Sequence, residues 1–267
     1  LWNANLNSRN EGKNVSLSNY FVAEYFPSVE WRIRARLGIT YGNNDAEVFY
    51  SPEDTRFEDT EALKKGEYTS TNTRLNQTEG ELSVTWAKML GVHRINLVAG
   101  GNFNMSKSLV QGYSAQGFPN GDFTYPSFSN GYPENGIPTF YESVSRSLNG
   151  YFNMGYSFND RYLMDFSMRS SGSSVFGSSK KYNTTWSVGL GWNLHKEKFI
   201  QNNFSWINLL KLRVSIGNPG NQNYDSAQTL LTYAFQYGSM NYFGLGAVLD
   251  QVGNSDLKWQ TTLDKNM

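Results

Sequence analysis

The 267-residue sequence predicts an all-β protein, an antiparallel transmembrane β-barrel segment of about eight to nine strands. Three observations predict it. Apolar and polar residues alternate with a period of two through much of the chain. Several alternating runs reach about 10–13 residues, where soluble strands average about 5–6 and a tilted membrane strand needs about 9–11. Short and long connections also alternate, as they do between the periplasmic and outer ends of an outer-membrane barrel.

The elements follow in order. A first, less regular strand is expected at about 16–26. In the second, Trp31, Ile33, Ala35, Leu37, Ile39 and Tyr41 alternate with Arg32, Arg34, Arg36, Gly38 and Thr40. The third sets Gly80, Leu82, Val84 and Trp86 against Glu79, Glu81, Ser83 and Thr85. The fourth sets Ile95, Leu97, Ala99, Gly101 and Phe103 against Arg94, Asn96, Gly100 and Asn102. Leu148, Phe152, Met154, Tyr156 and Phe158 then oppose Ser147, Asn149, Asn153 and Ser157. Tyr162, Met164, Phe166 and Met168 oppose Arg161, Asp165, Ser167 and Arg169. The most regular run faces Trp186, Val188, Leu190, Trp192 and Leu194 away from Thr185, Ser187, Gly189, Gly191 and Asn193. Leu210, Leu212, Val214 and Ile216 form the eighth, and a ninth is expected to begin near Leu257. Aromatic residues recur at strand ends, as interfacial girdles require.

Tight turns are expected at Pro27-Ser28-Val29, at Lys88 to Gly91 and at Asn159-Asp160-Arg161. Long connections are expected at about 42–77, 106–143, 170–182 and 218–256. All seven prolines are assigned to connections, where no ladder hydrogen bond is lost. Residues 195–207 interrupt the alternation and read as a small periplasmic helix or loop.

Composition excludes several functions. Twenty-three Lys and Arg balance 23 Asp and Glu, so there is no basic excess to meet a phosphate backbone, and no nucleic-acid partner is expected. The absence of cysteine excludes disulfides, thiol catalysis and zinc–thiolate sites. Two histidines are too few for a histidine-built metal cluster. No apolar stretch is long enough for a membrane helix, which leaves crossing by strands open. The opening residues lack a basic stretch and an apolar core, so no leader peptide is expected there. Asn, Ser and Gly together supply nearly a third of the chain and argue against a helix-dominated fold.

Four motifs then carry a resemblance. Arg169-Ser170-Ser171-Gly172-Ser173-Ser174-Val175-Phe176-Gly177 resembles the R-x-D-G-S-S-x-F-G signature of SusC/RagA-type TonB-dependent transporters, with Ser171 in place of Asp. Trp186 to Trp192 is similar to the family's P-S-x-S-x-G-W strand. Leu210 to Gly217, leading into Asn218-Pro219-Gly220-Asn221-Gln222, resembles L-K-L-R-x-S-x-G-x-T-G-N-Q, with Pro219 where Thr is usual. Residues 254–262, which include Leu257 and Trp259, resemble N-P-D-L-K-W-E-T-T. These motifs occur in the family's order and cover about a third of the chain. Their expected roles are structural, with Gly172, Gly217 and Gly220 suited to turns that need positive φ.

The resemblance implies one barrel domain over 1–267, a central-to-late part of a wall of roughly 22 strands. No plug or TonB box is recognised. It further implies a multi-pass protein of a bacterial outer membrane that imports oligosaccharides or peptides. Its partners would be TonB, a SusD-like surface lipoprotein and outer-membrane lipid. No cofactor and no enzymatic activity are expected.

Candidate contact residues follow from position. Tyr113, Phe118, Phe123, Tyr125, Phe128 and Tyr132 cluster in one long connection, where aromatic faces could stack on sugars or line a peptide groove. The competing expectation is that they pack the loop itself. If the apolar face meets lipid, Arg32, Arg34 and Arg36 with Glu79 and Glu81 line the lumen. Catalysis has little support: His93 and His195 lie near the short turns without a nucleophile elbow, and Asp122, Glu134 and Glu142 read as solvated charges. Asp45, Asp54, Glu58 and Asp59 lack EF-hand spacing. Two other classes share these features: a soluble β-sandwich that binds carbohydrate through the same aromatics, and a complete small outer-membrane barrel with adhesive loops.

Overall fold

The computed structural model describes all residues except 1, 4, 5, 175–181, 205, 222–230 and 255–259. Eight long strands follow one another: β1 (Arg9–Ser28), β2 (Trp31–Tyr50), β3 (Glu67–Leu90), β4 (His93–Gln116), β5 (Thr139–Phe158), β6 (Tyr162–Ser173), β7 (Tyr182–Asn193) and β8 (Lys211–Asn218). A 3₁₀ turn (Leu194–Lys196) and one short helix, α1 (Lys198–Asn203), lie between β7 and β8. Then come β9 (Gly220–Asn221), β10 (Thr232–Asn241), β11 (Gly244–Gln251), β12 (Gln260–Thr261) and β13 (Asp264–Asn266). The main sheet has nine strands in sequence order, β1 through β8 and then β13. Hairpin after hairpin is therefore the topology that the alternating turns require.

The β5–β6 turn sits where the sequence places it, while the first two turns are displaced toward the C-terminal side, to Val29-Glu30 and Gly91-Val92, because Pro27, Ser28 and Lys88 to Leu90 continue their strands. The β5–β6 hairpin closes through Arg161 N–H donating to the Phe158 carbonyl at 2.9 Å. Its central residues, Asn159 and Asp160, both hold φ 52°. Asn and Asp tolerate that left-handed backbone better than other side chains, which makes this the favoured hairpin turn. Gly91 supplies φ 60° between β3 and β4.

Strand lengths differ from expectation. β3 and β4 have 24 residues each, and β1, β2 and β5 have 20. The connections are correspondingly shorter, 51–66 between β2 and β3 and 117–138 between β4 and β5. Twenty-four residues far exceed the about 9–11 that a tilted strand needs to cross the hydrocarbon layer of a membrane. Beyond that layer both faces are wet, so stretches such as Glu67–Asn76 need no alternation and resemble loop. Pro27 corrects the placement of all prolines in connections: it is the last residue but one of β1, where the ladder ends at the β1–β2 turn. The β10–β11 hairpin was not expected within 218–256, and the ninth strand of the main sheet is β13, which pairs with β8 through Lys265 opposite Ile216.

The chain divides into two compact units. The first comprises Leu1–Tyr20, Gly38–Thr78 and Met105–Val144. Its small core holds Phe49, Tyr68 and Phe118, each under 5% exposed, with Tyr113 packed against them. The second comprises Phe21–Leu37, Glu79–Asn104 and Ser145–Met267. It is two-faced. In register, Phe152 opposes Met168, which opposes Trp186; Met154 opposes Phe166, Val188 and Ile216 in turn; Tyr156 opposes Met164, Leu190 and Val214. The other face carries Asn149, Asn153, Asp165, Ser167, Ser187 and Ser215 on the same strands. Period two puts successive side chains on opposite faces, so one apolar parity per strand becomes one apolar face per sheet.

Candidate functional site

In the second unit the polar face of the sheet is a network of paired charges. Glu24 on β1 receives the guanidinium of Arg32 and lies 3.4 Å from Arg34 Nε, both on β2. Arg36 pairs with Glu79 on β3. Glu81 accepts the Tyr151 hydroxyl of β5 at 2.7 Å, and Asn149 of β5 donates to Asn102 of β4 at 2.8 Å. All five predicted lumen-face charges thus lie together, and the basic ladder is matched by acids. Half-exposed pairs of this kind are each worth at most about 1 kcal/mol, so their role is to align and neutralise the face.

Tyr151 was not singled out from sequence, although a tyrosine in polar parity between Asn149 and Asn153 is itself a signal. Its ring crosses Gly100 on β4 to reach β3. A Cβ on Gly100 would stand 2.7 Å from Tyr151 Cζ and 2.8 Å from the Leu82 carbonyl oxygen. The glycine is a gap that admits the ring, a device also seen where an aromatic covers a strand glycine.

The motif residues prove to be part of this wall. Arg169 stands between Tyr151 and Thr185, Ser173 opposite Ser147, and Gly172 opposite Tyr182. Gly217 stands between Ser187 and Asp264, while Gly220 and Asn221 pair with β12. The expected positive-φ turns are corrected: Gly172, Gly217 and Gly220 are strand residues, and among the described residues the glycines with positive φ are Gly66, Gly91, Gly117, Gly131 and Gly244. Close approach explains two of them. The Tyr182 ring lies across Gly172, and a Cβ on Gly217 would stand 2.9 Å from Ser187 Cβ and 3.0 Å from the Trp186 carbonyl oxygen. Phe176, Gly177, Gln222, Leu257 and Trp259 lie outside the described residues.

Trp192 anchors the short-turn end. It stacks with Tyr162 at 6.1 Å, which stacks with Phe158 at 6.2 Å, and Trp31 and Trp86 pair at 6.3 Å. Glu197, just after β7, accepts Trp192 Nε1, the Tyr162 hydroxyl and Arg161, each at 3.0 Å. These partners, Trp192 first, hold its carboxyl below the usual glutamate range against the opposing effect of desolvation. His93 Nδ1 meets the Tyr156 hydroxyl at 2.7 Å, and its ring lies 5.0 Å from that of Phe158.

In the first unit the aromatics expected in one long connection divide in two, and Tyr113 is corrected to a strand residue of β4. Phe118 meets Phe49 edge-on at 5.1 Å and is 3% exposed, so its ring is occupied by packing. Gly66 at φ 81° and Gly117 at φ 79° bring the two loops together, with Gly117 N–H donating to the Gly66 carbonyl at 3.2 Å and Phe118 N–H to that of Lys65 at 2.8 Å. Tyr113 is half-buried between Tyr68 and Tyr132. Phe123 and Phe128 form an edge-on pair at 4.9 Å, and with Tyr125 and Tyr132 they remain exposed, Tyr125 by 66%. The loop beneath them is fixed by Glu53, which accepts Ser51 Oγ and the Gly121 amide. Those donors, Ser51 foremost, keep the Glu53 carboxyl below its ordinary value. Asp54 caps the next turn by accepting Arg56 N–H at 3.0 Å, Asp122 receives Asn7, and Glu142 pairs with Lys107.

Comparison with known proteins accords with this architecture. Residues 1–265 match the family described as TonB dependent receptor-like, beta-barrel. TonB-dependent receptor P26 of Formosa agariphila is 28% identical over 97% of this chain and 26% of its own length. TonB-dependent receptor SusC of Bacteroides thetaiotaomicron is 32% identical over 46% of this chain and 13% of its own. The solved RagAB peptide transporter superposes with a TM-score of 0.83 at 20% identity, over 96% of this chain and 28% of that one. The chain therefore spans about a quarter of the length of such relatives. Its fold is that of an antiparallel segment of the same barrel.

Proposed function

The chain belongs to the TonB dependent receptor-like β-barrel family, and from that premise we propose that it forms part of the wall of a SusC-type outer-membrane importer. The cargo is an oligosaccharide or a peptide, and transport draws on TonB-derived energy. The observation that carries this reading is the two-faced sheet β5–β8. Leu148, Leu190, Leu212 and Val214 are each more than 40% exposed on its apolar side, where a water-soluble sandwich would bury them. Lipid is the solvent that stabilises such a face, and the charged network opposite suits a hydrated lumen.

Within the importer the residues divide by task. Arg32, Arg34, Arg36, Glu79 and Glu81 shape the lumen wall. Phe123, Tyr125, Phe128 and Tyr132 offer aromatic faces at the outer loops, where a SusD-like surface lipoprotein would close over the cargo. Aromatic rings suit both sugar and peptide ligands through stacking.

Deleting the gene for the full-length receptor in its host, then measuring growth on single oligosaccharides and peptides, tests the reading. Loss of growth on one class, restored by complementation, is the expected result. Unchanged growth and unchanged uptake across both classes would overturn it.

A further inference from the structure

The segment between β7 and β8 carries an apolar surface that the wall does not use. Within twelve residues Phe199, Phe204, Trp206, Leu209 and Leu210 are exposed by 52, 45, 76, 77 and 39%. The segment is nonetheless firmly held. His195 N–H and Leu210 O are 3.2 Å apart, closing its two ends, and Ile200 is buried beneath α1. Glu197 ties it to Arg161, Tyr162 and Trp192, the last two belonging to the aromatic belt at the short-turn end of the apolar face. The surface is thus continuous with the face read as lipid-exposed. A shallow apolar groove of about 270 Å³, lined by Tyr162, Leu190, Trp192, Leu212 and Val214, adjoins the belt on that same face. Of the neighbouring charges, Lys198 precedes Phe199 directly, Lys196 lies 3.6 Å from Asp160, and Lys211 extends over the polar face beside Gly191.

We propose that residues 194–204 and 206–211 are an interfacial membrane anchor that lies in the periplasmic leaflet of the outer membrane. Phe199, Phe204, Trp206 and Leu209 enter the boundary between headgroups and acyl chains, and Lys198 meets phospholipid phosphates. The inference rests on the barrel reading above and adds a site to it. Bulky apolar side chains at such exposures are disfavoured in water, while an indole beside a lysine is a combination that favours a bilayer interface. The anchor fixes how far the short-turn end sinks into the membrane, because Glu197 couples it rigidly to the belt.

The test uses the full-length receptor in vesicles of phosphatidylethanolamine and phosphatidylglycerol, with one spin label at a time at Trp206→Cys, Leu209→Cys, Asn202→Cys and Phe166→Cys. Labels at 206 and 209 are expected to be at least about threefold less accessible to a water-soluble relaxation agent than the label at 202, as interfacial burial demands. The label at 166 serves as the lipid-facing reference on β6. Labels at 206 and 209 as accessible as that at 202, with 166 protected, would overturn the anchor and leave the barrel reading standing. A water-accessible label at 166 would overturn both.

Discussion

The Tyr151 hydroxyl on β5 reaches Glu81 on β3 at 2.7 Å, passing over Gly100 of the intervening strand. One side chain thus links three strands, and the missing Cβ on β4 is what allows it. Gly100→Val is expected to destabilise the full-length barrel by about 1–3 kcal/mol, because the added atoms meet both the ring and the Leu82 carbonyl. Tyr151→Phe, which keeps the ring and removes the bond, is expected to cost only about 1 kcal/mol. Thermal unfolding in detergent distinguishes the two, and equal transitions for both variants would contradict the account.

Gly217 and Gly172 offer a sharper contrast. The atoms facing Gly217 belong to Ser187 and to the Trp186 backbone, which cannot move without opening the β7–β8 pairing. Those facing Gly172 belong to the Tyr182 ring, which is 65% exposed and free to swing outward. Gly217→Ala should therefore lower the thermal transition clearly more than Gly172→Ala. The reverse order would show that the ring, not the backbone approach, is the rigid partner.

The Glu197 carboxyl gives a pH signature. Its folded-state pKa is depressed by Trp192, Tyr162 and Arg161, so its stabilisation is present above the unfolded-state value and is lost as pH falls through the folded value. Glu197→Gln is expected to lower the melting temperature at neutral pH. The gap to the wild type should close progressively once pH drops below the ordinary glutamate range. A constant gap down to strongly acid pH would mean that the variant acts through something other than this charge.

The loop aromatics separate by what each ring touches. Phe118→Ala empties part of the core formed with Phe49 and Tyr68 and is expected to cost about 3–5 kcal/mol. Tyr125→Ala removes an exposed ring and should leave the stability within about 0.5 kcal/mol of the wild type. Its effect is expected in the apparent KM of uptake. Unaltered uptake by both Tyr125→Ala and Phe128→Ala would assign these rings to packing or partner contact.

The sequence disclosed the membrane-crossing parts of the fold because only there does one face meet lipid. Trp186 through Trp192 could be assigned residue by residue, and the Asn159-Asp160 turn was legible from its side chains. Glu67–Asn76 was not, since a strand wetted on both sides leaves no period. Of the site, the charges of β2 and β3 were visible as one face, but their partners were not. Glu24 lies on β1, whose alternation is irregular, and Tyr151 acts across a glycine whose significance appears only when three strands are side by side. The glycines of the motifs were recognised and misassigned, because sequence alone does not distinguish a glycine needed for φ from one needed for space.

The central claim is that β6 has a lipid face and a water face, and the absence of native cysteine in this stretch makes it directly testable. Single cysteines placed in turn from Met164 to Arg169 in the full-length receptor, in native outer membranes, would be reacted with a water-soluble maleimide. Positions 165, 167 and 169 should label and positions 164, 166 and 168 should not. Uniform labelling along the strand would contradict the account.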